Sequence, residues 1–100
     1  MLNKAVELHE QASAEYDAAF DWYCERSPDA ARKFDAEVDR ALSEILQAPQ
    51  RWAAGPYQTR KFLLRRFPFT LIDREWVFGG IQVVAVAHTS RRPGYWKRRL

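Results

Sequence analysis

The chain has 100 residues and a net charge of +3, with 47% hydrophobic and 29% charged residues, which is typical of one small globular domain over residues 1–100. Residues 1–30 contain no continuous apolar segment of the signal-peptide kind, and no stretch approaches the roughly 18 apolar residues that cross a bilayer. The single Cys24 excludes an internal disulfide, so we expect a cytoplasmic protein without a membrane contact; the neighbouring Trp22 and Tyr23 suggest a buried thiol.

The N-terminal part predicts a strand followed by a helix. Residues 3–9 favour a short strand. From Glu10 onward, apolar residues recur at three- and four-residue spacing, which predicts an amphipathic helix. The acids of this helix, including Glu15 and Asp21, are interpreted as solvated surface because these two lie six residues apart and do not share a face closely. The apolar stripe consists of Ala12, Tyr16, Ala19, Phe20 and Tyr23.

A second helix is predicted directly after the first. Pro28 disfavours helical geometry in the residue before it and suits the first position of a new helix. Ser27 is then the N-cap, and Asp29 places negative charge in the first turn. The helix should end near Ala48-Pro49, and so short a connection predicts an antiparallel helical hairpin. Its apolar stripe consists of Ala31, Phe34, Val38, Ala41, Leu42 and Ile45.

Three strands are predicted after a loop over about residues 49–58. The segments 59–64, 67–76 and 81–88 are rich in β-branched and aromatic residues, and Gly79-Gly80 indicates a hairpin turn. Pro68 should mark the start of an edge strand or the preceding turn. Residues 81–87 (IQVVAVA) are apolar on both faces and predict a central strand. The expected fold is α+β, in the order β-α-α-β-β-β, with the helical hairpin packed on one face of a small, mostly antiparallel sheet.

The two halves of the chain carry opposite charge. Residues 1–50 hold 5 Lys and Arg against 11 Asp and Glu, a net charge of −6, whereas residues 51–100 hold 11 against 2, a net charge of +9. Such asymmetry indicates an acidic or nucleic-acid partner for the second half, although packing of the acidic half beside the basic one would neutralise it internally. The basic region comprises Arg60, Lys61, Arg65, Arg66, His88, Arg91, Arg92, Tyr95, Trp96, Lys97, Arg98 and Arg99.

Within this region each side chain has a structural and a functional interpretation. His88 either hydrogen-bonds the tail backbone or acts as a general acid or base, because its ordinary pKa lies near cellular pH. Tyr95 and Trp96 either anchor the tail on the sheet, after a turn at Pro93-Gly94, or offer stacking platforms. The residue pattern contains no Gly-rich phosphate loop, no cluster of metal ligands and no nucleophile elbow, so we expect neither a cofactor nor a metal.

The order and spacing of several motifs resemble the RelE/ParE superfamily of toxins from bacterial type II toxin–antitoxin operons. These motifs are ASAEYDAAFDWY in the first helix, SPDAARKF at the start of the second, FLLRRFPFTLIDRE, and VVAVAHTSRRPGYW. The resemblance covers nearly the whole chain. It implies a growth-inhibiting toxin, often linked to plasmid stabilisation, that a co-encoded antitoxin neutralises.

Two branches of that superfamily imply different chemistry. RelE-like members cut mRNA on the ribosome, using basic groups and a tail Tyr or His to activate a ribose 2′-OH. Lys61 and Tyr95 match two such positions, but Thr70 stands where a strand arginine is expected and Leu63 replaces a second strand lysine. Losing two transition-state donors, at about 3 kcal/mol each, lowers the rate about 10⁴-fold.

The sequence therefore favours the ParE-like branch, whose members inhibit DNA gyrase by binding it without catalysis. The alternatives are an mRNA endonuclease and, more weakly, a small nucleic-acid-binding module. An endonuclease would use His88, Arg91, Arg92, Tyr95 and Lys61. Apolar side chains of the first helix, such as Trp22, are candidates for the antitoxin contact or else belong to the core, and a homodimer or a 2:2 toxin–antitoxin complex is compatible with the sequence. The residues expected to bind a target are Arg60, Arg65, Arg66, Arg91, Arg92, Trp96, Arg98 and Arg99.

Overall fold

The protein is a two-helix hairpin on a four-stranded sheet. The computed structural model describes residues 5–47 and 54–100, so the predicted helix end near Ala48-Pro49 and most of the following loop lie outside the described residues. The observed order confirms the predicted β-α-α-β-β-β arrangement. The elements are β1 (Val6–Leu8), α1 (Glu10–Arg26), α2 (Pro28–Gln47), β2 (Arg60–Leu63), β3 (Phe69–Glu75) and β4 (Ile81–His88).

The sheet has the strand order β1-β4-β3-β2, with β1 parallel to β4 and the other neighbours antiparallel. Strand β4 is therefore central, and every residue from Ile81 to Ala87 is buried, as its largely apolar sequence predicts; Gln82 is the polar residue among them. Because β1 and β4 run parallel, the chain must cross over between them. Both helices lie in that crossover.

The junction between the helices forms as the sequence predicts. Helix α1 ends at Arg26, and the Ser27 hydroxyl accepts a hydrogen bond from the amide of Ala30 at 3.3 Å. Pro28 occupies the first position of α2 and Asp29 its first turn. A cap, a proline and an acid at one helix start leave the backbone little alternative to helix initiation.

The two faces of the sheet are covered differently. The helices cover one face, where Leu71, Val83 and Val86 meet apolar side chains of α1 and α2 such as Phe34. On the other face, Trp96 of the C-terminal tail (residues 89–100) belongs to a second cluster. That cluster consists of Ile72, Val84, Ala85, Ala87 and Trp96, with Tyr95 packed against it.

The β3–β4 turn has the predicted glycines in left-handed conformations. Gly79 has φ 100° and Gly80 φ 74°, and the Trp76 amide bonds to the Gly80 carbonyl at 3.0 Å. The sequence predicts two positions for Pro68, the start of an edge strand or the preceding turn. Pro68 lies in the turn, directly before β3, which is an interior strand.

The prediction that Cys24 is buried is wrong, since the thiol is exposed. The buried stripe of α1 passes through Ala12 and Ala19 and continues to the half-buried Tyr23. Cys24 follows Tyr23 by one residue, which turns its side chain about 100° around the helix and away from the sheet.

Candidate target-binding surface

A charged network ties the C-terminal tail to α1. The guanidinium of Arg99 donates two hydrogen bonds to the carboxylate of Glu15, Nη1 to Oε1 and Nη2 to Oε2, both at 2.9 Å. The Tyr95 hydroxyl donates to Oε2 of the same carboxylate at 2.6 Å, and the more exposed guanidinium of Arg91 lies 4.0 Å from it. Bidentate geometry of this kind is the strongest form of a charge-assisted hydrogen bond.

Glu15 and Arg99 also bind main-chain groups at the edge of β4. Strand β1 pairs with β4 only as far as Val83, and the chain then turns into α1. Beyond that point, the Val86 amide donates to Glu15 Oε1 at 3.0 Å and the Val84 carbonyl accepts from Arg99 at 3.1 Å. The ion pair thus satisfies buried main-chain groups that a longer β1 would otherwise bind.

The network shifts the pKa values of its members. Burial raises the pKa of Glu15, but the hydrogen bonds from Arg99, Tyr95 and the Val86 amide outweigh it and hold the pKa below its ordinary value. The pKa of Tyr95 is raised, first by burial and then by the hydrogen bond to the Glu15 carboxylate. The pKa of Arg99 is raised mainly by its hydrogen bond to Glu15. At neutral pH the site therefore holds a carboxylate, a neutral phenol and a guanidinium.

The interpretation of Glu15 as solvated surface is wrong. Its side chain is 18% exposed, and that of Arg99 is 9% exposed. Glu15 lies three residues after buried Ala12 and four before buried Ala19, so it falls on the apolar stripe of α1. That position is the sequence signal for an inward-facing acid, whereas Asp21 lies off this stripe and is exposed.

The predicted anchoring of the tail is confirmed. Trp96 is only 4% exposed and packs against the sheet, which leaves little of its ring for a target. Gly94, with φ 76°, forms the turn before it, and the Tyr95 amide bonds to the Arg92 carbonyl at 3.2 Å. The tail is therefore a fixed part of the fold.

His88, at the end of β4, makes the contact with the tail backbone that its structural interpretation predicts. Its Nδ1 accepts a hydrogen bond from the Ser90 amide at 3.0 Å and lies 2.8 Å from the Ser90 hydroxyl. The imidazole packs edge-on against Phe69, with 5.1 Å between ring centroids. The ring thus braces the start of the tail while remaining exposed.

A second buried acid, which the sequence analysis missed, holds the turn between β2 and β3. Oε2 of Glu37 on α2 accepts hydrogen bonds from the backbone amides of Arg65 and Arg66, the latter at 3.1 Å. The side chains of both arginines are exposed. Glu37 lies three residues after Phe34 and four before Ala41, again on the apolar stripe of its helix. The spacing that places Glu15 inward therefore applies here too.

The predicted basic residues separate into groups. The β2–β3 turn lies beside the start of the tail, because the Thr89 amide bonds to the Pro68 carbonyl at 2.8 Å. Arg60 lies elsewhere on β2, opposite Asp73, whose pKa burial raises to about 6 against the charge of Arg60. Among the basic side chains at the turn and the tail, the exposed ones are Arg65, Arg66, Arg91, Arg92, Lys97 and Arg98.

The five residues predicted for an endonuclease do meet. They line one cavity of about 150 Å³ between the end of β4 and the tail. Thr70, which stands at a position expected to be arginine, also lines this cavity. The five residues are Lys61, His88, Arg91, Arg92 and Tyr95.

A larger and mainly apolar groove of about 430 Å³ runs between α1 and the ends of β3 and β4. Trp22, predicted to be an antitoxin contact, is 50% exposed at this groove. Tyr23 and Phe69 also line it, and Glu15 and Arg91 lie at its polar part. The groove has the apolar lining that suits a side chain or helix of a partner.

Over residues 5–47 and 54–100, no group of three or more His, Cys, Asp and Glu side chains could hold a metal ion. No helix in the same residues is long and apolar enough to cross a membrane.

Comparison with known proteins identifies the family. A sequence model described as "ParE toxin of type II toxin-antitoxin system, parDE" matches residues 6–93. A solved structure described as "Chromosomal ParDE TA system from P. aeruginosa" superposes with a TM-score of 0.69 at 23% sequence identity, covering 84% of this chain and 94% of that one, which shows a shared fold. No curated protein matches the sequence. Because the family model spans most of the domain, the chain belongs to the ParE family of toxins of type II toxin–antitoxin systems.

Proposed function

We propose that this ParE-family chain arrests growth in the cytoplasm by binding DNA gyrase, without catalysis, and that a cognate antitoxin neutralises it. Family membership supports the toxin role. The exposed arginines at the β2–β3 turn and the tail support a contact with an acidic macromolecular surface, because their side chains stay exposed although Glu37 and Glu15 hold the turn and the tail to the helices. The proposed target contacts are Arg65, Arg66, Arg91, Arg92 and Arg98.

The observation that carries the non-catalytic part is the engagement of the tail by Glu15. Tyr95 donates its only hydroxyl proton to the Glu15 carboxylate, and its raised pKa disfavours the phenolate. A general base needs an accessible proton acceptor at a suitable pKa, and the protonated Tyr95 hydroxyl is not one. The Arg99 guanidinium beside Tyr95 is largely buried. This arrangement favours a rigid binding surface over a nuclease site.

A second candidate, the ribosome-dependent mRNA endonuclease, has one observation in its favour. The cavity beside the tail gathers every basic and aromatic side chain predicted for that chemistry. Such cations could stabilise charge that develops on a phosphate. This mechanism also requires a general base that removes the 2′-OH proton. Of the residues that line the cavity, His88 has the side chain suited to that role.

For the antitoxin, we propose that an amphipathic helix covers the groove beside Trp22. An exposed indole next to an apolar groove supports this choice, since buried aromatic anchors dominate the energy of many interfaces. Trp22→Ala should weaken antitoxin binding by about 2 kcal/mol while leaving the fold intact, because half of the indole is already in solvent.

The deciding experiment measures both activities of one purified preparation. Gyrase supercoiling and cleavage of ribosome-bound mRNA are assayed for the wild type, for His88→Ala and for Tyr95→Phe. We expect inhibited supercoiling and intact mRNA, with at most weakened inhibition in the two variants. Arg65→Gln with Arg66→Gln should reduce inhibition, whereas the matched change Lys33→Gln with Arg40→Gln on the exposed side of α2 should not.

If the wild type cleaves ribosome-bound mRNA, His88→Ala does not, and gyrase is unaffected, the endonuclease is established instead. Normal growth at high expression of the wild type without antitoxin would remove both toxin mechanisms.

A further inference from the structure

The tail cations differ in what they have left to bind. Arg99 is committed to Glu15, and Arg91 lies near the same carboxylate with its guanidinium 3.8 Å from the Tyr95 ring centroid. Arg92, Lys97 and Arg98 are exposed. Glu15 offsets only one of the two guanidinium charges, so these three cations carry most of the positive charge that remains on the tail.

The three cations line a cavity of about 550 Å³ on the tail, together with Pro93, Gly94 and Tyr95. This cavity adjoins the smaller one that contains Lys61, since both include Arg92 and the turn through Tyr95. Among the described residues, no carboxylate lines either cavity. A continuous furrow with four cations is thus open to a linear anion longer than one phosphate.

An exposed aromatic residue lies beside this furrow in an unusual backbone conformation. Tyr57 has φ 62° and is followed by Gln58, also with φ 62°, although neither is glycine. Bonds within the loop maintain this geometry: the Gly55 amide donates to the Thr59 carbonyl at 2.6 Å, and the Thr59 hydroxyl donates to the Pro56 carbonyl at 2.7 Å. Strained backbone that persists in this way is characteristic of functional loops.

The strained loop keeps the Tyr57 ring next to the tail. The ring is 56% exposed, its centroid lies 6.4 Å from that of Trp96, and the Lys97 ammonium lies 5.5 Å from it. Trp96 approaches the Tyr57 ring at an interplanar angle of 86°, and Lys97 joins the ring to the cationic furrow. An accessible aromatic ring beside a row of cations is the arrangement by which proteins bind single strands, with phosphates on the cations and a base stacked on the ring.

We propose that the furrow through Lys61, Arg92, Lys97 and Arg98 binds the phosphodiester backbone of a single-stranded nucleic acid, with one base stacked on Tyr57. This activity differs from gyrase inhibition, although Arg92 and Arg98 belong to both proposed surfaces. A duplex keeps its bases inside the helix and so cannot use the ring.

The test is fluorescence anisotropy of a labelled 15-nucleotide oligothymidylate between 50 and 200 mM salt, without gyrase, with the 15-nucleotide oligouridylate and a 15-base-pair duplex as further probes. Arg92→Gln with Arg98→Gln should lower the salt-dependence slope by about 1.4, since each single-strand phosphate contact contributes about 0.7. The matched variant Lys33→Gln with Arg40→Gln loses the same charge on α2 and should leave the slope unchanged.

The aromatic contact has its own matched pair. Tyr57→Gly removes the ring and suits the positive φ, so the fold is retained, and the affinity for the oligothymidylate should fall about tenfold. Gln58→Gly relieves the neighbouring strain but keeps the ring, so its affinity should match the wild type. Equal binding of thymidine and uridine strands would indicate recognition of the shared backbone, and preference for one would identify the natural strand; either outcome supports the site.

Several outcomes would overturn the proposal. These are no binding at 50 mM salt, tighter binding of the duplex, an unchanged affinity of Tyr57→Gly, or displacement of the oligothymidylate by polyglutamate at equal charge concentration, which would assign the furrow to an acidic protein. A chain that fails to inhibit gyrase can still bind the oligothymidylate, so this proposal and the proposed target fail independently.

Discussion

Glu15 and Arg99 meet through two parallel hydrogen bonds of 2.9 Å although 84 residues separate them in the sequence. The pair joins α1, the unpaired half of the β4 edge and the tail at one point, because the Val86 amide and the Val84 carbonyl bond to the same two side chains. We call this pair the clasp. It holds the basic tail in place by using Arg99 inside the fold, while Arg92, Lys97 and Arg98 remain exposed.

Removing the carboxylate of Glu15 should strongly destabilise the protein. Glu15→Ala leaves a largely buried guanidinium and a buried amide without their acceptor, and breaking a buried pair in this way costs about 3–5 kcal/mol. Urea denaturation should show this loss in the free energy of unfolding. Asp21→Ala, on the same helix but exposed, should change it by less than about 0.5 kcal/mol. Equal effects of the two substitutions would contradict the role of the clasp.

The lowered pKa of Glu15 predicts sensitivity to acid. The carboxylate stabilises the folded state above its ordinary pKa of 4.5, and this contribution is lost as the pH falls below 4.5 and through the lower pKa of the folded protein. Thermal unfolding from pH 6 to pH 2 should therefore show a steeper loss of Tm for the wild type than for Glu15→Gln. Parallel curves for the two proteins would show that Glu15 titrates normally.

Asp73 should have the opposite pH dependence. Burial raises its pKa from 3.8 to about 6 despite the charge of Arg60, so the folded state binds a proton that the unfolded state releases. Stability contributed by the neutral acid is complete below pH 3.8 and is lost as the pH rises through about 6. Asp73→Asn, which stays neutral, should gain about 2 kcal/mol relative to the wild type between pH 4 and pH 7.5. A pH-independent difference between the two proteins in urea denaturation would exclude this titration.

Glu37 should determine the order of the β2–β3 turn. Glu37→Ala leaves the amides of Arg65 and Arg66 without an acceptor, at about 1–3 kcal/mol for each unsatisfied donor. Glu37→Gln keeps an acceptor oxygen and should lose less than half as much stability. Amide hydrogen exchange at Arg65 and Arg66 is the direct measurement, and protection that survives in Glu37→Ala would argue against the contact.

The two glycines of the β3–β4 turn should differ in their tolerance of a methyl group. A Cβ at Gly80 would lie 2.0 Å from the Ala5 carbonyl oxygen, which accepts the Ile81 amide at 2.8 Å, so Gly80→Ala must separate β1 from β4 and should cost at least about 3 kcal/mol. At Gly79 no atom lies within 4 Å, and Gly79→Ala should cost only its backbone strain, about 1–2 kcal/mol. Circular dichroism melts of both variants provide the comparison, and similar melting temperatures would disprove the clash.

The local signals in the sequence were sufficient for the elements. Ser27-Pro28-Asp29 locates the helix junction, Gly79-Gly80 locates the hairpin, and the apolar run from Ile81 identifies the central strand, because each feature acts through neighbouring residues. The largely apolar run also predicts that β4 lies inside the sheet, which the strand order β1-β4-β3-β2 confirms.

The site was less accessible to sequence reasoning, because its contacts join distant residues. Nothing near Glu15 identifies Arg99 as its partner, and the arginine-rich tail gives no sign of which cation is buried. Position on the helix does carry information: Glu15 and Glu37 each stand three residues after and four before a buried apolar residue. Tyr57 has no such signal, since its left-handed backbone depends on hydrogen bonds of the loop around it.

The central position of β4 has a consequence for biosynthesis. Strands β1 and β3 both hydrogen-bond to β4, so the N-terminal strand has no neighbour until residues 81–88 have been translated. Arg99 is added later still, and without it the polypeptide lacks the clasp. Native topology therefore depends on contacts between segments that lie far apart in the sequence, which makes folding slower than for a fold built from local contacts.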